Sequence, residues 1–198
     1  MTRISIAAFC AATLVCGPLS AAPMEWDIGA GGNGHWYELI AGPSVTWAEA
    51  AGTAAGLDHL GRIGHLATVT SAEEWAFLVD AVNPGGARAW LGGSDAADEG
   101  VWRWAVGPEA GETFWIGGSG GVAAGFHAWN PREPNNASNE DYMAGWWTPG
   151  QWNDLGESWS IGAYVVEFSA VAVPVPASMP LMLGAVGVLA LTLRRRKG

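Results

Sequence analysis

The sequence predicts an α+β fold, and three observations predict it. Two helix-patterned stretches lie close together between Ser44 and Val82. Short strand-like runs rich in Trp, Val and Tyr take over from Ala89 onward. Between those runs lies a long polar segment, Ala105 to Asn139, rich in Gly and Pro. Helices gathered at one part of the chain and strands at another pack as separate layers rather than as alternating βαβ units.

Taken in order, a Gly-rich lead from Gly29 to Gly34 precedes His35-Trp36-Tyr37-Glu38-Leu39-Ile40, a first strand. Ser44 or Thr46 then starts a helix carrying Trp47, Ala50, Ala51 and Ala54 at helical spacing, with Gly52 a weak point inside it. The second helix is better marked. Ser71-Ala72-Glu73-Glu74 has the form of a capping box, and Trp75, Leu78, Val79 and Val82 follow at i, i+3, i+4 and i+7 before Asn83-Pro84-Gly85-Gly86 stops it. Strand-like runs follow at Ala89 to Gly92, Val101 to Trp104, Ala144 to Trp147 and Ala163 to Phe168. Long irregular segments are uncommon in compact domains unless they serve a function, which directs attention to Ala105–Asn139.

Both ends stand outside this pattern. Residues 1–22 open with Arg3, continue through the apolar run Ile4 to Val15 and finish at Ser20-Ala21-Ala22, the layout of a secretory signal peptide. Gly17-Pro18 interrupts the run, which is short for a membrane span. Cys10 and Cys16, the two cysteines of the chain, fall inside it, so the exported domain has no disulfide available. At the other end, residues 170–198 hold Val173-Pro174-Val175-Pro176-Ala177, an apolar membrane segment over residues 179–193, and Arg194-Arg195-Arg196-Lys197. The Pro-free run Leu181 to Leu193 reaches about 20 Å as a helix, and flanking residues must help it cross a core of about 30 Å. The basic end stays cytoplasmic, leaving the rest of the chain outside. This tail resembles the PEP-CTERM bacterial sorting signals, in the variant with a Val-Pro-Leu-Pro-Ala box, although Val175 stands where that box has leucine. The resemblance implies an exosortase-type sorting protease as partner. The chain would be membrane-anchored first, then cut and delivered to the cell surface or extracellular matrix of a Gram-negative-type bacterium. A plain membrane anchor is the alternative.

The remaining domain, residues 23–169, holds all 19 acidic residues of the chain against Arg62, Arg88, Arg103 and Arg132, a formal charge of −15. Such a surface repels phosphates, which excludes nucleic acid as a partner, and it attracts divalent cations. All 13 tryptophans lie there too. Most are core, since large aromatics dominate burial in a small fold, and a few are candidates for platforms on which a sugar ring packs.

The chemistry-bearing cluster is Glu133-Pro134-Asn135, then Glu140-Asp141, then Trp152-Asn153-Asp154. Five oxygen-bearing side chains, Glu133, Asn135, Glu140, Asn153 and Asp154, are the donors a hard cation such as calcium prefers, and three carboxylates among them repel one another without it. Together with Thr46 to Ala50, Gly64 to Val69, Trp90-Leu91-Gly92-Gly93, Trp129 and Tyr164 to Glu167, this ordered set resembles a C-type lectin-like domain with its core at about residues 35–168. The resemblance implies two helices, small antiparallel sheets and a long calcium-binding loop region. It implies Glu133, Asn135, Glu140, Asn153 and Asp154 as ligands of one Ca2+, with Pro134 cis. Glu133, Asn135, Glu140 and Asn153 would also contact a mannose-, glucose- or fucose-type diol, since a carboxylate accepts from a hydroxyl and an amide donates to one. The loop from Glu133 to Glu140 is one residue shorter than the commonest family spacing, which leaves Asp141 as the alternative to Glu140. Where the family has disulfides, this chain has Ala54 and Val166, and Tyr142 and roughly Glu157.

The implied function is a calcium-dependent carbohydrate-binding module. The alternative is a lectin-like structural or adhesive matrix protein that binds other proteins without sugar recognition. An enzyme is not expected. Gly117-Gly118-Ser119-Gly120-Gly121 satisfies a hydrolase nucleophile expression only because it is a glycine run, without a strand-turn-helix setting. The four histidines lack metal-ligand spacing, and Asn136-Ala137-Ser138, a glycosylation sequon, is read as coincidental in a chain whose tail resembles bacterial sorting signals.

Overall fold

Residues 19–169 are described by a computed structural model, so most of the expected signal peptide, residues 1–18 of 1–22, and the expected sorting tail from residue 170 lie outside the described residues. Strands β1 (Leu19–Ser20), β2 (Met24–Glu25) and β3 (Trp36–Val45) lead into helix α1 (Trp47–Ala55). Next come β4 (Asp58–His59), β5 (Arg62–Leu66) and helix α2 (Ala72–Phe77). The rest is strand: β6 (Ala89–Ser94), β7 (Val101–Trp104), β8 (Thr113–Ile116), β9 (Val122–Ala123), β10 (Tyr142–Gly145), β11 (Trp152–Leu155) and β12 (Ile161–Phe168).

The helices start where the sequence places them, for local reasons. Thr46 caps α1: its hydroxyl accepts from the Glu49 N–H, and the Glu49 carboxylate returns to the Thr46 N–H at 2.8 Å, a complete capping box. At α2 the box is only half made. Ser71 accepts from the Glu74 N–H, but the Glu74 carboxylate reaches past Ser71 to the Thr70 N–H at 2.7 Å. That carboxylate is buried, and the Tyr37 hydroxyl donates to it at 2.5 Å. The helix widens into a π turn over Leu78–Val82, where the Asn83 N–H bonds the Leu78 carbonyl, five residues back. This extension still buries Leu78 and Val82, as the spacing predicts.

The first and last long strands close the domain on itself. β12 pairs antiparallel with β3, Tyr164 opposite Ile40, and its far edge meets β5 antiparallel and β6 in parallel. The β3–β12 register slips opposite Ala41 to Val45, where Pro43 has no N–H to give. β6 also pairs with β7 and β10, and β10 with β11, so one sheet carries the end walls of the candidate site. Leu19 and Ser20, inside the expected signal peptide, pair with Ala41 and Ile40.

Two expectations are corrected. The segment Ala105–Asn139 is not irregular throughout: β8 and β9 lie within it, because Phe114 and Trp115 are buried when β8 adds to β7. The run Ala144 to Trp147 starts and stops two residues earlier, at Tyr142–Gly145, since Trp146 turns to φ 60° and leaves the ladder. The glycine run Gly117 to Gly121 is the β8–β9 turn, with φ 99° at Gly117 and 95° at Gly120, conformations that favour glycine. No helix follows it, so Ser119 has no nucleophile-elbow setting.

Eight of the tryptophans are buried, and Trp75, Trp102, Trp104, Trp129, Trp146 and Trp152 form an aromatic core with Phe114 beneath the loop region. Edge-on packing recurs there, with Trp104, Phe114 and Trp129 all meeting the Trp152 ring at 79–86°. A second core joins α1 to the sheet. Ala54 and Val166, where the resemblance implies a disulfide, are both fully buried within it and contribute apolar packing there. No helix among the described residues is long and apolar enough to cross a membrane.

Candidate functional site

The site is built by one loop and one strand. The loop leaves the core at Trp129, which bridges to Trp152, and the Asn130 N–H bonds the Trp152 carbonyl at 2.9 Å. Its far end returns to the sheet at β10. Strand β11 is buried along its whole length and delivers Asp154, preceded by Asn153, to the loop. The Glu133–Pro134 peptide is cis. Asn136, Ser138 and Asn139 adopt left-handed backbone conformations, which short polar side chains tolerate through local hydrogen bonds.

Asp154 is fully buried and organises the loop. Its Oδ1 accepts the Asn135 N–H at 3.2 Å and its Oδ2 the Asn136 N–H at 2.7 Å. Asn135 Oδ1 accepts the Ala137 N–H at 2.8 Å, and Asn135 Nδ2 donates to Glu133 Oε2. Glu140 is buried; its Oε2 accepts the Ala137 N–H at 3.0 Å, while its own N–H donates to Asn136 Oδ1 at 2.7 Å. Asn153 Nδ2 donates to the Asp154 backbone carbonyl. Thus Glu133, Asn135, Glu140 and Asp154 meet at the β11 end of the loop, and Asn153 precedes Asp154 in the strand with its amide bonded to the Asp154 backbone. The Asp141 carboxylate instead accepts from Asn139 at 2.8 Å.

The electrostatics follow from that packing. Burial pushes the Glu133 carboxyl up to about 7, and the nearby Asp154 charge adds to the push. Glu140 is raised as well, by burial first and then by Asp154, against the Ala137 N–H. Ion pairs among the described residues join His35 to Glu167 and Arg103 to Asp98; neither reaches these carboxylates. Nor do three acidic or histidine side chains there already converge on one point as around a bound ion. In chemistry the donor set fits a hard cation: carboxylate and carboxamide oxygens, negative charge in excess, no thiolate and no imidazole.

Sequence reasoning missed Asp95 and Glu99. Asp95 is buried, with Oδ2 accepting the Gly100 N–H at 2.9 Å and Oδ1 without a hydrogen-bond partner. Burial raises its carboxyl to about 7, against the Gly100 N–H and with help from the Glu99 and Asp141 charges. Glu99 accepts from Asn136 Nδ2 at 2.7 Å and so braces the loop from outside. The acidic run Asp95 to Glu99 directly after β6 was the available signal.

The family model of the lectin C-type domain matches residues 59–161, more than half of the chain. Halomucin of Haloquadratum walsbyi is 38% identical over 133 residues, 60% of this chain and 1% of that protein. A perlucin-like protein of Mytilus galloprovincialis is 29% identical over 96 residues, 46% of this chain and 53% of the relative. The chain therefore spans only part of these relatives. Among solved structures, the C-type lectin CEL-I of Cucumaria echinata shares the fold at TM-score 0.51 and 22% identity, over 67% of this chain and 89% of that one. The cow CD23 C-type carbohydrate-recognition domain, crystallised in the presence of a GlcNAc2Man3 oligosaccharide, does so at 0.52 and 22%, over 70% and 90%.

Proposed function

We propose that this chain, which belongs to the C-type lectin domain family, is a carbohydrate-binding module whose loop site works with calcium. The observation that carries the reading is the packing of Glu133, Glu140 and Asp154 with Asn135 in a site without a cationic side chain, where Glu133 is pushed up to about 7. Those five residues would hold the ion, with Glu140 preferred to Asp141 because Glu140 packs toward Asp154. Calcium supplies, when bound, a positive centre with positions left for two neighbouring sugar hydroxyls. Glu133 and Glu140 would accept hydrogen bonds from those hydroxyls, and the Asn135 and Asn153 amides would donate to them. Glu-Pro-Asn favours a mannose-, glucose- or fucose-type diol by family resemblance. A glycan array probed with the full chain in millimolar calcium is expected to show such ligands, and a chelator to remove them. Binding to no glycan, or binding indifferent to the chelator, refutes this reading.

We further propose that the module is exported, on the strength of the signal-peptide layout of residues 1–22 and the sorting-type tail 170–198. Cleavage after Ala22 would remove β1 and leave β2 paired to β3. Mass spectrometry of the protein from its native host is expected to give an N-terminus at Pro23, and an intact residue 1–22 segment overturns the proposal.

A further inference from the structure

One tryptophan is exposed while the rest are buried or half-buried, and it stands beside the loop site. Trp159 is 46% exposed. It lines a cleft of about 480 Å³ between the loop Ala137–Glu140 and the turn Gly156–Trp159 that follows β11. Glu140 belongs to both the cleft and the site described above. The cleft is therefore a lateral continuation of that site.

The ring is held from behind. Trp147 meets it edge-on at 5.8 Å and 75°, and Arg88 caps Trp147 at 4.0 Å from the ring centroid. The Trp159 N–H closes the turn onto the Gly156 carbonyl at 3.0 Å. A Cβ on Gly156 would lie 3.0 Å from the Asn139 carbonyl, so the two walls of the cleft approach backbone to backbone. An exposed aromatic ring fixed by neighbours loses little freedom when a flat apolar face packs on it. Around it stand polar groups able to bond hydroxyls, those of Ser138, Asn139, Ser158 and the Glu140 and Glu157 carboxylates.

We propose that this cleft takes the second ring of an oligosaccharide, a neutral pyranose stacked on Trp159 while the first ring occupies the Glu133–Asp154 site. An acidic sugar is excluded because Glu140 and Glu157 line the cleft and the nearby cation, Arg88, is engaged over Trp147. The inference rests on the carbohydrate-binding reading and adds that ligand length matters.

Calorimetric titration of the full chain in calcium with methyl α-mannoside and with a linear mannotriose tests it. The trisaccharide is expected to bind about tenfold more tightly, the order one stacked ring supplies. Trp159→Ala should abolish that gain and leave the monosaccharide affinity within about twofold, while Trp159→Phe retains most of it. Trp159 is too exposed for its replacement to disturb the core, and an unchanged melting profile verifies this. Equal affinity of the wild type for both sugars, or equal weakening of both by Trp159→Ala, overturns the second subsite and leaves the first reading intact. Failure of the wild type to bind either sugar overturns both.

Discussion

Asp154→Ala is expected to lower calcium affinity by roughly 100-fold, the scale of removing a buried, charged ligand, and to remove about 2–4 kcal/mol of stability from the metal-free protein by taking the charged acceptor from two part-buried loop N–H groups. The second effect follows from geometry: Asp154 holds the Asn135 and Asn136 amides, so its loss frees the loop that carries the site. Calcium titration and urea denaturation measure the two quantities. A variant that binds calcium like the wild type would remove Asp154 from the site. The pH dependence gives an independent check. With Glu133 raised to about 7 by burial and the Asp154 charge, protons compete with the cation, and affinity should be about tenfold weaker at pH 6 than at pH 8. The stability of the metal-free protein moves the other way. Because folded Glu133 binds its proton near 7 and unfolded Glu133 near 4.5, stability rises as pH falls through that interval. Removing Asp154 takes away part of the push on Glu133, so both slopes should shift toward lower pH.

Glu167→Gln is expected to cost about 3 kcal/mol, a large share of the 5–15 kcal/mol that small domains possess. Glu167 is buried on β12 and receives His35 Nδ1 at 2.6 Å, the Thr68 N–H at 3.0 Å and the Ser169 hydroxyl at 3.1 Å, while the one Thr68 hydroxyl proton is shared between Glu167 at 3.1 Å and Glu109 at 2.8 Å. It thereby ties the start of β3 to the segment after β5 and to β12. Burial alone would raise its carboxyl, but the His35 hydrogen bond, the His65 charge and the Thr68 N–H outweigh burial and hold it below the usual range. Burial likewise opposes the His35 charge, and the bond and charge of Glu167 outweigh it, with Glu74 and Glu109 adding, so His35 is raised. The signs define a window. The Glu167 contribution is present above its unfolded value near 4.5 and is lost as pH falls through its lowered value. The His35 contribution is complete below 6.5 and is lost as pH rises through its raised value. Denaturation followed from about pH 3 to about pH 9 should show stability falling at both edges in the wild type and a flatter profile in Glu167→Gln. Identical profiles would rule out the pair as a determinant.

Much of the frame was legible because its causes are local. Thr46 with Glu49 and Ser71 with Glu74 mark helix starts through bonds spanning three residues, and the spacing of Trp75, Leu78 and Val82 identifies the buried face. What was misread depended on partners far away in sequence. β8 is four residues long and is a strand because β7 lies beside it. Glu74 passes over its own cap because Tyr37 waits in the core.

The same division runs through the candidate site. By itself, the sequence determined the chemistry: the oxygen donors Glu133, Asn135, Glu140, Asn153 and Asp154, their order, the excess of negative charge and the abundance of tryptophan. Composition and spacing are properties of the chain, and they specify what a site can bind. Only the tertiary structure decided that Glu140 packs near Asp154 while Asp141 bonds Asn139, that Asp154 clamps the loop amides, and that Asp95 is buried with an unpartnered oxygen. It also decided that Trp159 is the exposed ring among thirteen. Direction and burial are set by which distant segments pack together, and no residue carries that information in its own side chain.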